Sequence, residues 1–305
     1  MRILMTFFDG FGLGEMSAKI NPYIVATTPF LDELLGGKKL TSLSSKEAGK
    51  YYRLFPTDTT LEVEGTPQSA TGQTALWTGV NSAEVIGEHK NGFPNQALRK
   101  IIEENNIFKQ LKGCGKTVAF ANAYRPDFFK SFIHQKKYHS VSTTAALSAG
   151  LKLKTIEDIL AGKSVYQDMT NKILVEKFNC NVPVISPTEA GLVLGKISQE
   201  LDFCLYEYFL TDIVGHSQDF DLSVNLIEQI DAFLEAVIKN VDLRDTLVII
   251  VSDHGNIEDV RLKGHTKNKV PTVIISEENN LQESIKINSL TDVYDYIVEK
   301  LCDKL

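Results

Sequence analysis

The chain has 305 residues, 43% hydrophobic and 23% charged, enough for one large α/β domain with an insertion or for two ordinary domains. Its 39 acidic against 32 basic residues leave a formal net charge of -7, which repels polyphosphate backbones and argues against a general nucleic-acid binder. No apolar run approaches a membrane span, and the opening run Arg2 to Phe8 is too short for a signal peptide and breaks at Asp9-Gly10. Cys114, Cys180, Cys204 and Cys302 are scattered and form no CxxC pair, so neither a zinc knuckle nor a disulfide framework is expected, and a reduced, cytoplasmic setting fits.

Arg2 to Phe8 reads as a first buried strand, and Asp9 with Gly10, Gly12 and Gly14 marks a flexible exit from its carboxyl end. A helix follows, with Thr28 as N-cap, Pro29 at its first position, Phe30, Leu31, Leu34 and Leu35 as its apolar face, and Gly36-Gly37 as its stop. Residues 39–63 read as short strands and loops. Residues 64–79 hold small and hydroxyl side chains at the start of a helix. Ser69 therefore lies near a helix N-terminus, where free N–H groups and the dipole favour an anionic phosphate; a plain N-cap is the alternative. Residues 85–104, with Gly87, His89, Asn91-Gly92 and Pro94, form an irregular excursion, after which Ile107 to Leu111 reads as helix and Lys116 to Ala123 as a core strand.

From 125 to 184 aromatics and lysines mix, helices are expected near Thr155 to Leu160 and Gln167 to Phe178, and no buried-strand signature appears. This stretch reads as a small inserted cap. His134 and His139 within it are expected at the surface or facing substrate rather than on metal, since neither stands at a strand end. The core returns at 185 with Ser186 as N-cap, Pro187, and Glu189 completing a capping box, with Leu192, Leu194 and Ile197 expected buried. Phe203 to Phe209 reads as a strand that delivers Asp212 and His216, four residues apart and on one face if the chain turns helical.

An amphipathic helix from about Leu222 to Asn240 then leads to Leu247–Val251, whose composition suits a strand buried on both faces, as in a parallel sheet. At its carboxyl end stand Asp253 and His254, where open α/β sheets place their chemistry. Gly264, His265 and Thr266 precede a last strand from Val270, and Ser289 with Asp292 opens a terminal helix bearing Leu290, Val293, Ile297 and Leu301. The fold class is α/β, a mostly parallel sheet with helices on both faces. Its core is divided into 1–84, 105–124 and 185–305, with the excursion 85–104 and the cap 125–184 between.

Asp9, Asp212, His216, Asp253, His254 and His265 all fall at strand ends or just beyond. An Asp-His pair at one strand end is ordinarily a hydrogen-bonded turn, but three carboxylates and three imidazoles together suit two divalent transition ions. Two such ions, ~3.5–4 Å apart, can hold the attacking and leaving oxygens of an in-line displacement at phosphorus. A serine on one of them becomes an alkoxide nucleophile without a histidine base.

The ordered segments DGFG (9–12), SATGQ (69–73), TDIVGH (211–216), SDHGN (252–256) and GHTKNKVP (264–271) resemble the alkaline phosphatase superfamily. The likeness is strongest to the branch of cofactor-independent phosphoglycerate mutase and phosphopentomutase, and it covers roughly residues 1 to 80 and 186 to 276. It implies an alkaline-phosphatase-like core, with Asp212, His216 and His265 on one ion, Asp9, Ser69, Asp253 and His254 on the other, manganese or zinc as the metal, and transient phosphorylation of Ser69. Gln73 departs from the histidine those mutases commonly carry. Residues 125–184 are far shorter than the phosphoglycerate mutases' insertion and offer no match for its sugar-binding arginines.

The leading expectation is a two-metal phosphoryl-transfer enzyme acting on a small phosphorylated metabolite. A phosphatase or phosphodiesterase-type hydrolase is preferred, because a mutase must hide its phosphoenzyme from water beneath an extensive lid. A phosphosugar mutase is the alternative within enzymes, favoured by the His265 segment. A non-catalytic metal-binding protein is the alternative outside them, and an exposed hydroxyl at an open coordination position speaks against it. Asn91, Lys90 and Arg125 are candidates to bind substrate, Arg125 first because it follows the end of a core strand; Arg99 and Lys130 rank below them, and Thr71 and Thr266 read as groups that orient ligands. No nucleic-acid or membrane partner is expected, and the oligomeric state is left open.

Overall fold

Mostly apolar runs without alternation need cover on both faces of a sheet, and three of them, buried at almost every position, form its centre. In this computed structural model, which describes residues 1–281 and 286–302, one sheet contains β1 (Arg2–Phe8), β2 (Glu47–Ala48), β3 (Tyr52–Thr57), β4 (Val118–Phe120), β5 (Phe203–Tyr208), β6 (Thr246–Val251) and β7 (Val270–Ile275). Their order is β2-β3-β7-β6-β1-β5-β4. β1 lies between β5 and β6, parallel to both, and β4 is parallel to β5. β7 runs antiparallel to β6 and β3, and β2 antiparallel to β3. β3 thus runs with β6, and the sheet is mostly parallel.

The two-residue period of β1 divides the core between the two faces. Ile3, Met5 and Phe7 pack with Leu76 and Trp77 of the Ser69–Thr78 helix and with Val293 and Ile297 of the Leu290–Leu301 helix. Leu4 and Phe8 pack on the other face with Leu194 of the Pro187–Ser198 helix and with Leu226, Ile230, Phe233 and Val237 of the Phe220–Lys239 helix. The capping boxes at Ser186 and Ser289 form as their spacing predicts.

Several local expectations are corrected. Leu192 is 45% exposed, because Ala190, Leu194 and Ile197 already define the buried stripe of its helix and position 192 falls opposite them. β4 stops at Phe120, beyond which Asn122 and Ala123 bridge to Val165 and Lys154. His139 is only 4% exposed, its ring against Phe128 and its Nε2 2.9 Å from the Phe132 carbonyl. Within 125–184, the Val141–Ser148 helix places Val141, Ala145 and Ala146 in the same cluster as Ile102, Phe108 and Leu111, whereas Tyr166, Leu174 and Val182 gather with Ala123 in a small separate cluster.

Cys114 and Cys302 form a disulfide, with Cα atoms 5.7 Å apart. It joins the ends of the Ile107–Gly113 and Leu290–Leu301 helices, which no local spacing could reveal because 188 residues separate the two cysteines. The scattered cysteines therefore no longer argue for a reducing compartment. Closing so long a loop removes unfolded-state entropy worth about 5 kcal/mol in the chain-entropy model. Cys302→Ser is expected to lower the melting temperature by on the order of 5–10 °C. Cys114→Ser should do the same, and the double variant should lose little more, which differential scanning calorimetry would read directly.

Candidate active site

β5, β1 and β6 lie side by side and run the same way, so whatever leaves their carboxyl ends meets at one edge. Asp9 stands two residues past Phe7, and Asp253 two past Val251, the register partner of Phe7; both carboxylates therefore emerge on the same face. After β5 the chain turns at once into the Leu210–Ser217 helix, which puts Asp212 and His216 on one side. Thr211 Oγ1 donates to the Asp9 carbonyl and pins that helix to β1. His265 arrives on a loop held by a bridge between Gly255 and Thr266.

Ser69 comes from the helix that covers this face. It is the first helical residue rather than the cap, a place taken by Gln68. Its Oγ lies 2.9 Å from His254 Nε2, so the hydroxyl faces the cluster and not the backbone of its own helix.

The ligand atoms are close-set. Asp212 Oδ1 is 3.2 Å from His265 Nε2, Asp212 Oδ2 is 3.4 Å from His216 Nε2, and the two imidazole Nε2 atoms are 3.3 Å apart. His254 Nε2 is 3.1 Å from Asp9 Oδ1 and 3.7 Å from Asp253 Oδ2. The His254 and His265 rings stack with centroids 3.7 Å apart. Two overlapping groups result, Asp212 with His216 and His265, and Asp9 with Asp212 and His254, each with ligand atoms mutually within 4.8 Å. Asp212 is common to both, and Asp253 sits behind the second.

The protons show what this arrangement suits. His216, His265 and His254 each turn Nδ1 to a backbone carbonyl, of Lys263 at 2.6 Å, Pro67 at 3.0 Å and Gly255 at 3.3 Å. A carbonyl only accepts, so Nδ1 carries a hydrogen, and in the neutral ring Nε2 is left with a lone pair that a proton or a cation can take up. All three lone pairs converge on carboxylates, and among the described residues no lysine or arginine pairs with Asp9, Asp212 or Asp253. Asp9 Oδ1 is buried and accepts no directed hydrogen bond.

Such a cluster repels itself unless protons or cations lie between its members. Burial would lower the His254 pKa, but the charges of Asp253 and Asp9 raise it to about 10. Burial, then the Asp9 charge, pushes Asp253 well above the usual carboxylate range. Burial also acts to raise Asp212, yet the His265 hydrogen bond and the His254 charge hold it at about 2. Imidazole nitrogens mixed with carboxylate oxygens are the donor set of divalent transition ions, which would satisfy the same lone pairs without borrowed protons.

Residues with no sequence signal hold the cluster in place. Glu258 is buried, and its Oε2 accepts from Gly12 N at 3.0 Å and Asn256 N at 2.7 Å. Its Oε1 accepts from Thr266 Oγ1 at 2.5 Å and Asn268 Nδ2 at 3.1 Å. One carboxylate therefore ties the loops that carry Asp9, His254 and His265. This is why residues 12 and 255 are glycines: a Cβ on either would run into Glu258 Oε1, and four hydrogen bonds, two to each oxygen, keep the carboxylate from moving aside. Gln73 Nε2 donates to Asp9 Oδ2 at 3.0 Å and Asp253 Oδ2 at 3.2 Å, and Asn256 Nδ2 donates to Asp212 Oδ1 at 2.7 Å.

Glu258→Ala leaves those four donors without their acceptor. It is expected to cost about 2–4 kcal/mol of stability and about 10–100-fold in metal affinity. Urea denaturation and metal titration would measure the two effects. Unchanged affinity in a destabilised variant would mean that the carboxylate acts on the fold alone.

The substrate candidates lie outside the ligand cluster. Lys90 is half-buried, bonded through its backbone to Thr71, and Asn91 is exposed. The Arg125 guanidinium carbon lies over the Phe178 ring, 3.9 Å from its centroid. Thr71 Oγ1 donates to the Gln68 carbonyl at 3.1 Å, beside Ser69.

A family model described as the Metalloenzyme superfamily matches residues 1–304. A 2,3-bisphosphoglycerate-independent phosphoglycerate mutase of Methylobacillus flagellatus is 32% identical over 92 residues, 28% of this chain and 18% of that protein. The match thus spans about a fifth of the relative's length. Among solved structures, phosphoglycerate mutase of Leishmania mexicana aligns with TM-score 0.60 at 10% identity, over 100% of this chain and 96% of that one. Alkaline phosphatase from the Antarctic bacterium TAB5 aligns with TM-score 0.51 at 11% identity, over 100% and 98%. At those identities the likeness is one of fold.

Proposed function

The chain belongs to the metalloenzyme superfamily, and from that premise we propose that it is a two-metal phosphoryl-transfer enzyme that hydrolyses a small phosphomonoester through phospho-Ser69. The observation that carries this reading is the Ser69 hydroxyl, held at a helix N-terminus 2.9 Å from His254 Nε2 and facing the carboxylate and imidazole cluster. Asp212, His216 and His265 would hold one ion, and Asp9, Asp253 and His254 with Ser69 the other. Bound ions, manganese or zinc by family likeness, would lower the pKa of the hydroxyl and neutralise charge developing on the phosphoryl oxygens.

The chain's own groups do the rest. Ser69 Oγ forms a bond to phosphorus as the ester P–O bond breaks; the serine proton leaves to solvent, and the departing alcohol takes one up. Water then attacks the phosphoserine, inorganic phosphate departs, and the hydroxyl is regenerated. The start of the Ser69–Thr78 helix directs the positive end of its dipole at the phosphoryl oxygens throughout. Gln73 and Glu258 keep the carboxylates and loops from shifting as charge moves.

Hydrolysis is favoured over mutase chemistry because little chain is left to seal the site. Of residues 125–184, the Val141–Ser148 helix is already part of the core. The test is a phosphomonoester panel incubated with the manganese- or zinc-loaded protein. Release of inorganic phosphate supports a hydrolase, isomerised ester without release means a phosphosugar mutase, and bound metal with no conversion of any ester leaves only a binding protein.

A further inference from the structure

Beside the candidate site is a cavity of about 480 Å³, within the range of small-molecule sites. Leu210 and Ile213 bound it, from the same helix that presents Asp212. Phe93, Tyr138 and Phe178 also line it, and they are 51%, 41% and 39% exposed. Single exposed aromatics are ordinary, but here three from separate parts of the chain turn toward one space. Phe93 and Tyr138 meet edge to face, with centroids 6.4 Å apart and planes at 81°. On Phe178 lies the Arg125 guanidinium, which no carboxylate pairs with among the described residues.

Exposed rings around a cavity, one of them already backed by a planar cation, offer π faces that water does not satisfy and a flat partner does. Asn122, Gln167 and Lys177 also line the cavity and can meet polar edges, but a sugar or glycerol group would leave the faces of the three exposed rings uncovered. We propose that this cavity receives a planar aromatic group carried on the alcohol side of the phosphoester, so that ring-bearing esters are preferred to purely aliphatic ones. The inference rests on the reading of Ser69 as nucleophile, and a nucleobase or a simple aryl ring would meet the same surface.

The test compares esters with like leaving groups. Adenosine 5′-monophosphate is paired with ribose 5-phosphate, and 2-phenylethyl phosphate with butyl phosphate, on wild type, Phe178→Ala and Phe93→Ala. Wild type is expected to prefer the ring-bearing member at least tenfold in kcat/KM, mainly through KM. Either variant should cut that preference below threefold while leaving the aliphatic member unchanged. A preference in the first pair alone identifies a nucleobase site, and one in both pairs a general aryl site. Equal use of both members by wild type, or equal slowing of both by the variants, overturns the proposal.

Binding of adenosine and of 2-phenylethanol, followed by NMR shifts of the unloaded protein, separates the two readings. If no ester is converted, the phosphoryl-transfer reading fails by itself. The cavity is then judged by whether either probe binds wild type and is lost in Phe178→Ala, and binding of neither probe overturns it.

Discussion

Ser69→Ala is expected to reduce turnover by at least about 10³-fold, the scale on which removing a covalent nucleophile acts, while leaving the fold and the metal content close to those of wild type. Ser69 does not cap its helix, and its Oγ contact is with His254 rather than with the backbone. Alanine is moreover the best helix former for the position it takes. The stability change should therefore stay within about 0.5 kcal/mol. The remaining ligands, Asp9, Asp253 and His254, keep their supports from Gln73, Gly10 N and Ser252. Metal analysis beside steady-state kinetics decides the matter. Turnover persisting in a variant with its ions in place would mean that no phosphoserine forms, and that water attacks the ester directly.

Stripping the metal with a chelator is expected to abolish turnover, and the second readout is stability. An ion that binds only the folded chain adds RT ln(1 + [L]/Kd), about 4 kcal/mol at a thousandfold excess over Kd. In its absence three carboxylates and three imidazoles must share a mostly buried space on protons alone, with Asp9 Oδ1 unsatisfied. The melting temperature should fall on chelation and return on adding manganese or zinc, in step with activity. If activity is lost while the melting curve stays in place, the ions reside on substrate and not in this cluster.

The parts of the fold legible in advance were those whose physics is local. Apolar runs at 2–8, 203–208 and 246–251 became the sheet centre, because a strand covered on both faces cannot alternate. The Ser186–Glu189 and Ser289–Asp292 boxes placed two helices to the residue, since a cap is settled within four positions. The four-residue spacing of Asp212 and His216 placed both on one side of a helix for the same reason. Leu192 shows where this runs out: it lies opposite the stripe of Ala190, Leu194 and Ile197, and which of two apolar faces is buried depends on what packs against the helix.

By itself, then, the amino-acid order determined which residues stand at strand ends and what chemistry they offer, because hydrophobic period, caps and acid placement act over a few residues. The meeting of Ser69 and His254 was expected only through family resemblance, and the tertiary structure supplied their 2.9 Å contact; it alone decided that Cys114 closes on Cys302 and that Glu258 gathers donors from three loops. It also decided that three exposed rings share one cavity. Each of these depends on segments brought together by packing of the whole sheet, and a contact made at that distance leaves no repeating mark on either strand of sequence that makes it.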